Sequence, residues 1–156
     1  MALRFETRSE VDTFEFGRAL GAQLRPGEAL LLSGDLGAGK SVLARGAARA
    51  LGVEGPMPSP SFTILLSYDG RVRVHHFDLY RLSDPDEFYA AGLDEWLGGD
   101  GVCLVEWPQM ADADFSPCVH ATLTRVPGGE QLRSILLEPD GVSLNADALG
   151  RWRKDA

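Results

Sequence analysis

The chain has 156 residues, and 44% of them are hydrophobic, which suffices for one domain with a single core. It carries 23 acidic residues against 15 basic ones, and its formal net charge of -8 excludes a general attraction to nucleic-acid backbones or anionic membranes. We therefore expect one domain over residues 1–156 that does not bind nucleic acid on its own.

Cysteine content and apolar runs bear on the compartment. Two cysteines, Cys103 and Cys118, are too few for a disulfide framework. The N-terminal segment lacks the apolar stretch of a signal peptide, and the sequence has no uncharged apolar run of about 18 residues, the length of a membrane span. We expect a cytoplasmic protein that is neither exported by a signal peptide nor membrane-spanning.

The first half of the sequence predicts a helix, a buried strand, a glycine loop and a second helix, in that order. Apolar residues recur at helical spacing over residues 9–24, where Ser9 can cap the helix start. The unbroken apolar run at residues 29–32 is typical of a strand that is buried on both faces. After the glycine loop, residues 41–51 place leucines and alanines on one helical face, and Gly52 supplies a stop.

The second half predicts more strands than helices. Two strand-like runs, 62–68 and 71–77, flank Asp69-Gly70, which is a strong signal for a two-residue hairpin turn. The remaining predicted elements are short helical pieces at 84–88 and 93–97, a buried strand at 101–106, a hairpin of strands 118–126 and 131–138, and a C-terminal helix at 145–154.

A glycine-rich motif fills the gap between the predicted strand 29–32 and the predicted helix 41–51. Residues 34–41, GDLGAGKS, match the phosphate-binding pattern G-x-x-x-x-G-K-[ST], so backbone amides and the helix dipole converge on one anion site. Lys40 can reach phosphate oxygens, and the Ser41 hydroxyl can ligate Mg²⁺. The alternative is a glycine turn with a solvated lysine. That alternative does not explain why one of only two lysines in the chain stands at this position. We expect an α/β fold, a three-layer domain like those of P-loop NTPases, with a mixed, partly parallel central sheet and added antiparallel strands.

A phosphate-bound Mg²⁺ needs a carboxylate at the end of a neighbouring strand, and the sequence offers two. Glu106 closes the apolar run at 102–105, as expected for an acid at the tip of a central parallel strand. Asp78 closes a strand that alternates, which places that strand nearer the sheet edge. We favour Glu106 as the metal-side or water-orienting acid and Asp78 as a supporting or switch residue. The alternative for each is a solvated acid at a strand end.

Other polar residues give weaker signals. His75 and His76 could ligate a metal, but adjacent strand residues face opposite sides, so a packed or hydrogen-bonded pair is the favoured interpretation. Arg81 and Arg133 are candidates for stabilising transferred negative charge, and nothing in the sequence ranks them against solvated surface arginines.

The choice of nucleotide rests on absent motifs. A guanine reader of the small-GTPase type needs N-K-x-D late in the chain, which this sequence lacks, so we expect ATP. A small-metabolite kinase usually has an arginine-rich lid, whereas residues 56–66 contain no charged residue. That kinase and a non-hydrolysing nucleotide sensor remain the alternative functions.

Four motifs in this order closely resemble the TsaE (YjeE) family of bacterial ATPases, over nearly the whole chain from Phe5 to Glu138. They are GDLGAGKS at 34–41, SPSF at 59–62, HFDLYRL at 76–82 and EWP at 106–108. The resemblance implies a P-loop α/β fold and slow ATP hydrolysis in support of tRNA N6-threonylcarbamoyladenosine (t6A) formation. It implies TsaB and TsaD as partner proteins, with tRNA contacted only through them.

The resemblance also implies roles for individual residues. It gives catalytic roles to Lys40, Glu106 and Asp78, and it assigns Mg²⁺ to Ser41 and Glu106, with Asp78 as a further ligand or switch residue. The nucleotide would be held by a phosphate cradle and its neighbours, namely Asp35, Leu36, Gly37, Ala38, Gly39, Lys40, Ser41, Val42, the switch residue Ser61, Trp107 beside the site, Glu10 on the first helix and Arg133 on a late strand.

Two positions depart from the family pattern. Ser61 stands where the family usually has Thr, which keeps the hydroxyl and loses a methyl group. Gln109 stands where the family often has Glu, which removes one charge. Both lie outside the phosphate cradle, so we expect ATP binding to be unaffected, while turnover and coupling to the partners stay open.

Overall fold

The structure, a computed structural model, describes residues 2–154. Its strands are β1 (Leu3–Thr7), β2 (Ala29–Ser33), β3 (Leu65–Asp69), β4 (Arg73–Asp78), β5 (Val102–Glu106), β6 (Cys118–Arg125) and β7 (Arg133–Asp140). Its α-helices are α1 (Glu10–Gly21), α2 (Lys40–Ala50) and α3 (Asp86–Ala90), and short 3-10 helices span Leu93–Trp96, Pro108–Met110 and Ala146–Trp152.

The seven strands form one mixed sheet in the order β1-β7-β6-β2-β5-β4-β3. The central strands β6, β2, β5 and β4 are mutually parallel, and the strands at each edge pair antiparallel. The predicted α/β fold with a partly parallel central sheet is therefore confirmed. Because β4 is second from one edge, Asp78 lies nearer the edge than Glu106, as expected.

Helices cover both faces of the sheet, which gives the three predicted layers. Leu30 and Leu32 of β2 pack into the core beneath α1 and α2, whereas Leu31 packs with α3 and the loops on the opposite face. This alternation along one strand explains why the run at residues 29–32 is apolar throughout. None of the helices in residues 2–154 is long and apolar enough to cross a membrane.

Helices α1 and α2 pack so closely that glycines are required where they cross. A Cβ on Gly46 of α2 would lie 2.1 Å from the backbone oxygen of Phe14, and a Cβ on Gly17 of α1 would lie 2.2 Å from that of Leu43. Real side chains do not approach a carbonyl at such distances, so both glycines are dictated by packing. The close crossing fixes α2, and with it the glycine loop that precedes α2.

Three elements of the structure differ from the sequence prediction. The first strand, β1, was not predicted from the sequence, although Leu3, Phe5 and Thr7 alternate inward in it. The strand expected at 62–68 begins only at Leu65, because the chain turns before it and Ile64 has a φ of 67°. The C-terminal helix is a 3-10 helix, Ala146–Trp152, whose tryptophan packs against α1.

The helix crossing yields a stability prediction. We expect Gly46→Ala to lower the free energy of unfolding by about 1–3 kcal/mol or more, because the new methyl group must push α1 and α2 apart. Gly150→Ala is the matched control, since nothing lies within 4 Å of a Cβ there and its expected effect is within about 0.5 kcal/mol. Urea denaturation of both variants checks this, and equal stabilities would show that the crossing tolerates the methyl group.

Candidate functional site

The glycine loop, residues 34–39, connects the end of β2 to the start of α2. Gly39 is the residue before α2 and has a φ of 106°, a left-handed conformation that favours glycine. The amide of Ala38 donates to the oxygen of Asp35 at 3.0 Å, which closes the loop into a turn. The loop therefore presents its amides next to the N-terminus of α2, where the helix dipole favours an anion.

Lys40 turns back toward the glycine loop. Its Nζ donates to the backbone oxygens of Gly34 at 2.5 Å and Asp35 at 2.9 Å, and it lies 4.4 Å from the ring centroid of Trp107. Only 5% of the residue is exposed. Burial lowers the pKa of Lys40, and the nearby carboxylates, led by Glu106, oppose that shift. The amine is hydrogen-bonded to two neutral backbone oxygens, so an anion that entered the site would be a stronger partner for it.

Glu106 ends β5 with a carboxylate that is almost fully buried and held from two sides. Ser41 Oγ donates to its Oε1 at 2.9 Å and to its Oε2 at 3.2 Å. His76 Nε2 lies 2.7 Å from the same Oε2. Because only a protonated ring nitrogen can donate to a carboxylate, Nε2 carries a hydrogen in this pair. The sequence analysis did not include His76 among the site residues. Strand alternation places it on the same face of β4 as Asp78 and could have indicated this position.

His75 faces the opposite side of β4. Its Nδ1 lies 2.8 Å from Ser67 Oγ, and its ring centroid lies 4.7 Å from that of Trp96. Burial lowers the pKa of His75. The two histidines are thus separately packed and hydrogen-bonded, as the favoured interpretation held, and they cannot share a metal.

Asp78 ends β4 and holds two loop segments. Ser61 Oγ donates to its Oδ2 at 3.1 Å, and the amide of Tyr80 donates to its Oδ1 at 3.1 Å. Ser59 Oγ lies 2.7 Å from Ser61 Oγ. One carboxylate therefore joins the serine loop that precedes β3 to the segment that follows β4.

A cavity of about 270 Å³ lies over these groups. Most of the predicted site residues line it, namely Glu10, Leu36, Gly37, Gly39, Lys40, Ser41, Val42, Ser61, Asp78, Glu106, Trp107 and Arg133. Asp35 and Ala38 do not: the Asp35 oxygen accepts from Lys40, and Ala38 is buried. Thr13 and Gln131 also line the cavity and were missed, because each reaches the site only through tertiary packing.

The two candidate arginines occupy different places. Arg133 lines the cavity, but its guanidinium makes four hydrogen bonds to backbone oxygens, including those of Gly37 and Ala38. Arg81 lies outside the cavity lining and stacks 4.5 Å from the ring centroid of Phe62. The guanidinium of Arg133 is therefore engaged by backbone oxygens and that of Arg81 by an aromatic ring.

The oxygen atoms at the site suit a hard cation better than a transition metal. No cluster of three or more histidine, cysteine, aspartate or glutamate side chains that could hold a metal occurs in residues 2–154. Magnesium does not need one, because it keeps several waters and binds through one or two protein oxygens together with phosphate. The hydroxyl of Ser41 and the carboxylate of Glu106 fit that requirement.

Comparison with known proteins places the chain in a family. The family described as "Threonylcarbamoyl adenosine biosynthesis protein TsaE" matches residues 7–135, most of the chain. The chain belongs to the TsaE family. It is 39% identical over 113 residues to the TsaE protein of Treponema pallidum, a match that covers 72% of this chain and 84% of that protein. It is 40% identical over 111 residues to the TsaE protein of Bacillus subtilis, covering 70% and 69%.

A solved structure agrees with this family. The crystal structure of Bacillus subtilis YdiB superposes with a TM-score of 0.74 at 32% identity, and the match covers 89% of this chain and 86% of that one. The resemblance predicted from the four sequence motifs is thus confirmed. Membership of the TsaE family assigns the chain a role in tRNA threonylcarbamoyladenosine biosynthesis.

The buried pair of His76 and Glu106 gives a prediction for the site. We expect His76→Leu to lower the free energy of unfolding by about 1–3 kcal/mol, because a buried carboxylate loses one of its donors. His76→Gln, whose amide can still donate, should lose less. Urea denaturation near neutral pH distinguishes them, and a leucine variant as stable as the wild type would mean that the hydrogen bond contributes nothing.

Proposed function

We propose that this TsaE-family protein binds ATP with Mg²⁺, hydrolyses it slowly, and uses its nucleotide state to control its action on the TsaB–TsaD complex in t6A formation. One observation supports this most strongly: the glycine loop, the Lys40 amine and the Ser41–Glu106 pair converge at the N-terminus of α2. Membership of the TsaE family supports the part of the proposal that concerns t6A formation.

The glycine loop and Lys40 carry nucleotide binding in this proposal. Amides of residues 35–42 surround the β-phosphate, and Gly37 and Gly39, which line the cavity, have no side chain to obstruct it. Lys40 Nζ leaves the oxygens of Gly34 and Asp35 and compensates charge on the β- and γ-phosphates. Because burial already disfavours the charged amine, exchanging two neutral oxygens for a phosphate is favourable for this side chain.

Ser41 and Glu106 would hold the magnesium ion, which when bound neutralises charge on the phosphate oxygens. His76 keeps the Glu106 carboxylate in place while the Ser41 hydroxyl exchanges its hydrogen bond for a new contact. In hydrolysis, water adds to the γ-phosphorus and the bond to the bridging oxygen breaks, giving ADP and phosphate. Glu106 and Asp78 orient that water. Arg133, which lines the cavity, has all three guanidinium nitrogens hydrogen-bonded to backbone oxygens, which agrees with a slow reaction.

Coupling to the partners would use the segments joined by Asp78. Ser61 and Tyr80 are both held by this carboxylate, so a change at the phosphates reaches the serine loop and the segment after β4 together. Phe62, beside Ser61, is 84% exposed and contacts Arg81. These segments therefore present the nucleotide state to a partner protein, and tRNA is reached only through that partner.

Glu106→Gln tests the catalytic assignment. We expect it to lower ATP turnover at least about tenfold while ATP affinity changes much less, because the amide cannot supply the charge that orients water and metal. Glu138→Gln, a matched change on β7 outside the cavity, should leave both unchanged. Turnover is followed by phosphate release, and an unchanged rate in Glu106→Gln would remove Glu106 from the catalytic role.

An omission assay tests the biological role. We expect multiple-turnover threonylcarbamoyl transfer to tRNA by TsaB and TsaD to require this protein, and we expect Lys40→Ala to be inactive in the same assay because glycine amides alone cannot compensate the phosphate charge. Binding to TsaB–TsaD should differ between ATP, ADP and no nucleotide. Transfer that proceeds equally well without the protein would contradict the proposal.

The same assays separate the alternatives. A small-metabolite kinase would consume ATP much faster with one phosphate acceptor and would need no partner protein. A non-hydrolysing sensor would bind ATP, respond in the binding assay and release no phosphate.

A further inference from the structure

The outer side of the glycine loop is held by arginines from the β6–β7 hairpin. Arg125 Nη2 donates to the oxygen of Leu36 at 2.8 Å. Arg133 donates from Nη2 to the oxygen of Gly37 at 3.2 Å and from Nε to that of Ala38 at 2.8 Å. Three consecutive peptide oxygens therefore each accept a hydrogen bond from a guanidinium group.

The sheet brings both arginines to this place. Arg125 and Arg133 are directly opposite each other in the β6–β7 register, and β6 pairs in parallel with β2. The end of β6 consequently lies beside the loop that follows β2. A Cβ on Gly37 would lie 2.6 Å from Arg125 Nη2, so the guanidinium also occupies the space that a side chain there would need.

Peptide geometry links these oxygens to the inner side of the loop. Each peptide unit is planar, and its oxygen points away from the amide of the next residue. Fixing the oxygens of Leu36, Gly37 and Ala38 therefore fixes the directions of the next three amides, those of residues 37–39. The proposed phosphate site uses the amides of Gly37 and Gly39, whereas the amide of Ala38 makes the turn hydrogen bond to Asp35.

The hydrogen bonds of Arg133 separate this role from direct contact with a phosphate. Its Nη1 donates to the oxygens of Glu130 at 2.7 Å and Leu132 at 2.9 Å, so all three guanidinium nitrogens have backbone partners. Among the ion pairs found in residues 2–154, neither Arg125 nor Arg133 has a carboxylate partner. Neither positive charge is therefore neutralised by an ion pair with a carboxylate of these residues, and both favour an anion beside the loop.

We propose that Arg125 and Arg133 are positioning residues that clamp the outer oxygens of the glycine loop, so that its amides are preorganised for the phosphate groups of a nucleoside di- or triphosphate. This inference rests on the proposed ATP site, and it adds which residues hold the amides of that site in position. Arg125 is outside the phosphate-binding motif, and Arg133 acts through the loop instead of on the transferred phosphate.

The clamp predicts an asymmetry between lysine substitutions. Arg133→Lys should weaken ATP and ADP binding about tenfold each, because one amine cannot serve the oxygens of both Gly37 and Ala38. Arg125→Lys should bind within about twofold of the wild type, because one donor suffices for Leu36, whereas Arg125→Met should bind several-fold more weakly. In each variant the affinities for ATP and ADP should change by similar factors, since the clamp holds loop amides that serve phosphate groups common to both nucleotides.

Calorimetric titration with ATP and ADP, steady-state kinetics and amide hydrogen exchange of residues 34–43 make the test. Amide hydrogen exchange can be measured without nucleotide. We expect its rate to increase in Arg133→Lys and Arg125→Met while the thermal unfolding temperature stays near that of the wild type. Arg73→Met is the matched control, because Arg73 pairs with Asp69 at the far end of β4.

The outcomes are distinguishable. Unchanged exchange in Arg133→Lys and Arg125→Met overturns the clamp whether or not nucleotide binds. Wild-type binding by both lysine variants shows that charge alone matters and also overturns it. A loss confined to turnover, with ADP affinity intact, assigns Arg133 to the transferred phosphate and overturns its positioning role. If the wild type binds neither nucleotide, the proposed function fails, and the clamp's effect on affinity fails with it.

Discussion

The buried carboxylate of Glu106 is the constraint on which the site depends. A charge at 3% exposure is tolerated only with hydrogen-bond partners, and Ser41 and His76 supply them. Ser41 lies in the first turn of α2 and His76 lies on β4, so one side chain connects the helix layer to two strands of the sheet. The demand for partners fixes both the start of α2 and the register of β4.

Parallel pairing delivers the acids to one edge of the sheet. Glu106 is opposite Leu32 in β2 and opposite Asp78 in β4, so the three strands end at the same level. The glycine loop leaves β2 at that level and enters α2, whose path is set by its close crossing with α1. The ends of the parallel strands and the start of α2 therefore bring backbone amides, an amine and two carboxylates together at one edge of the sheet.

The site features that could be predicted from the sequence are local ones. The glycine loop is recognisable because strand, loop and helix are contiguous, and Glu106 stands out because an acid closes an otherwise apolar run. Strand β1 was missed because it is five residues long and its partner, β7, lies at the other end of the chain. Thr13, Gln131 and Arg125 carry no local signal, since each reaches the glycine loop or its cavity only once distant segments have packed.

The roles of Arg81 and Arg133 could not be predicted from the sequence, because they too depend on tertiary packing. Composition marks an arginine as a possible phosphate ligand, yet its role depends on which acceptors the fold places around it. Arg81 stacks on the ring of Phe62, whereas three hydrogen bonds to the oxygens of residues 36–38, two from Arg133 and one from Arg125, support the outside of the glycine loop. A loop with glycines at its turning points has little stiffness of its own. The hairpin therefore supplies the rigidity that those glycines remove, and the β6–β7 extension of the sheet belongs to the phosphate site as much as the motif does.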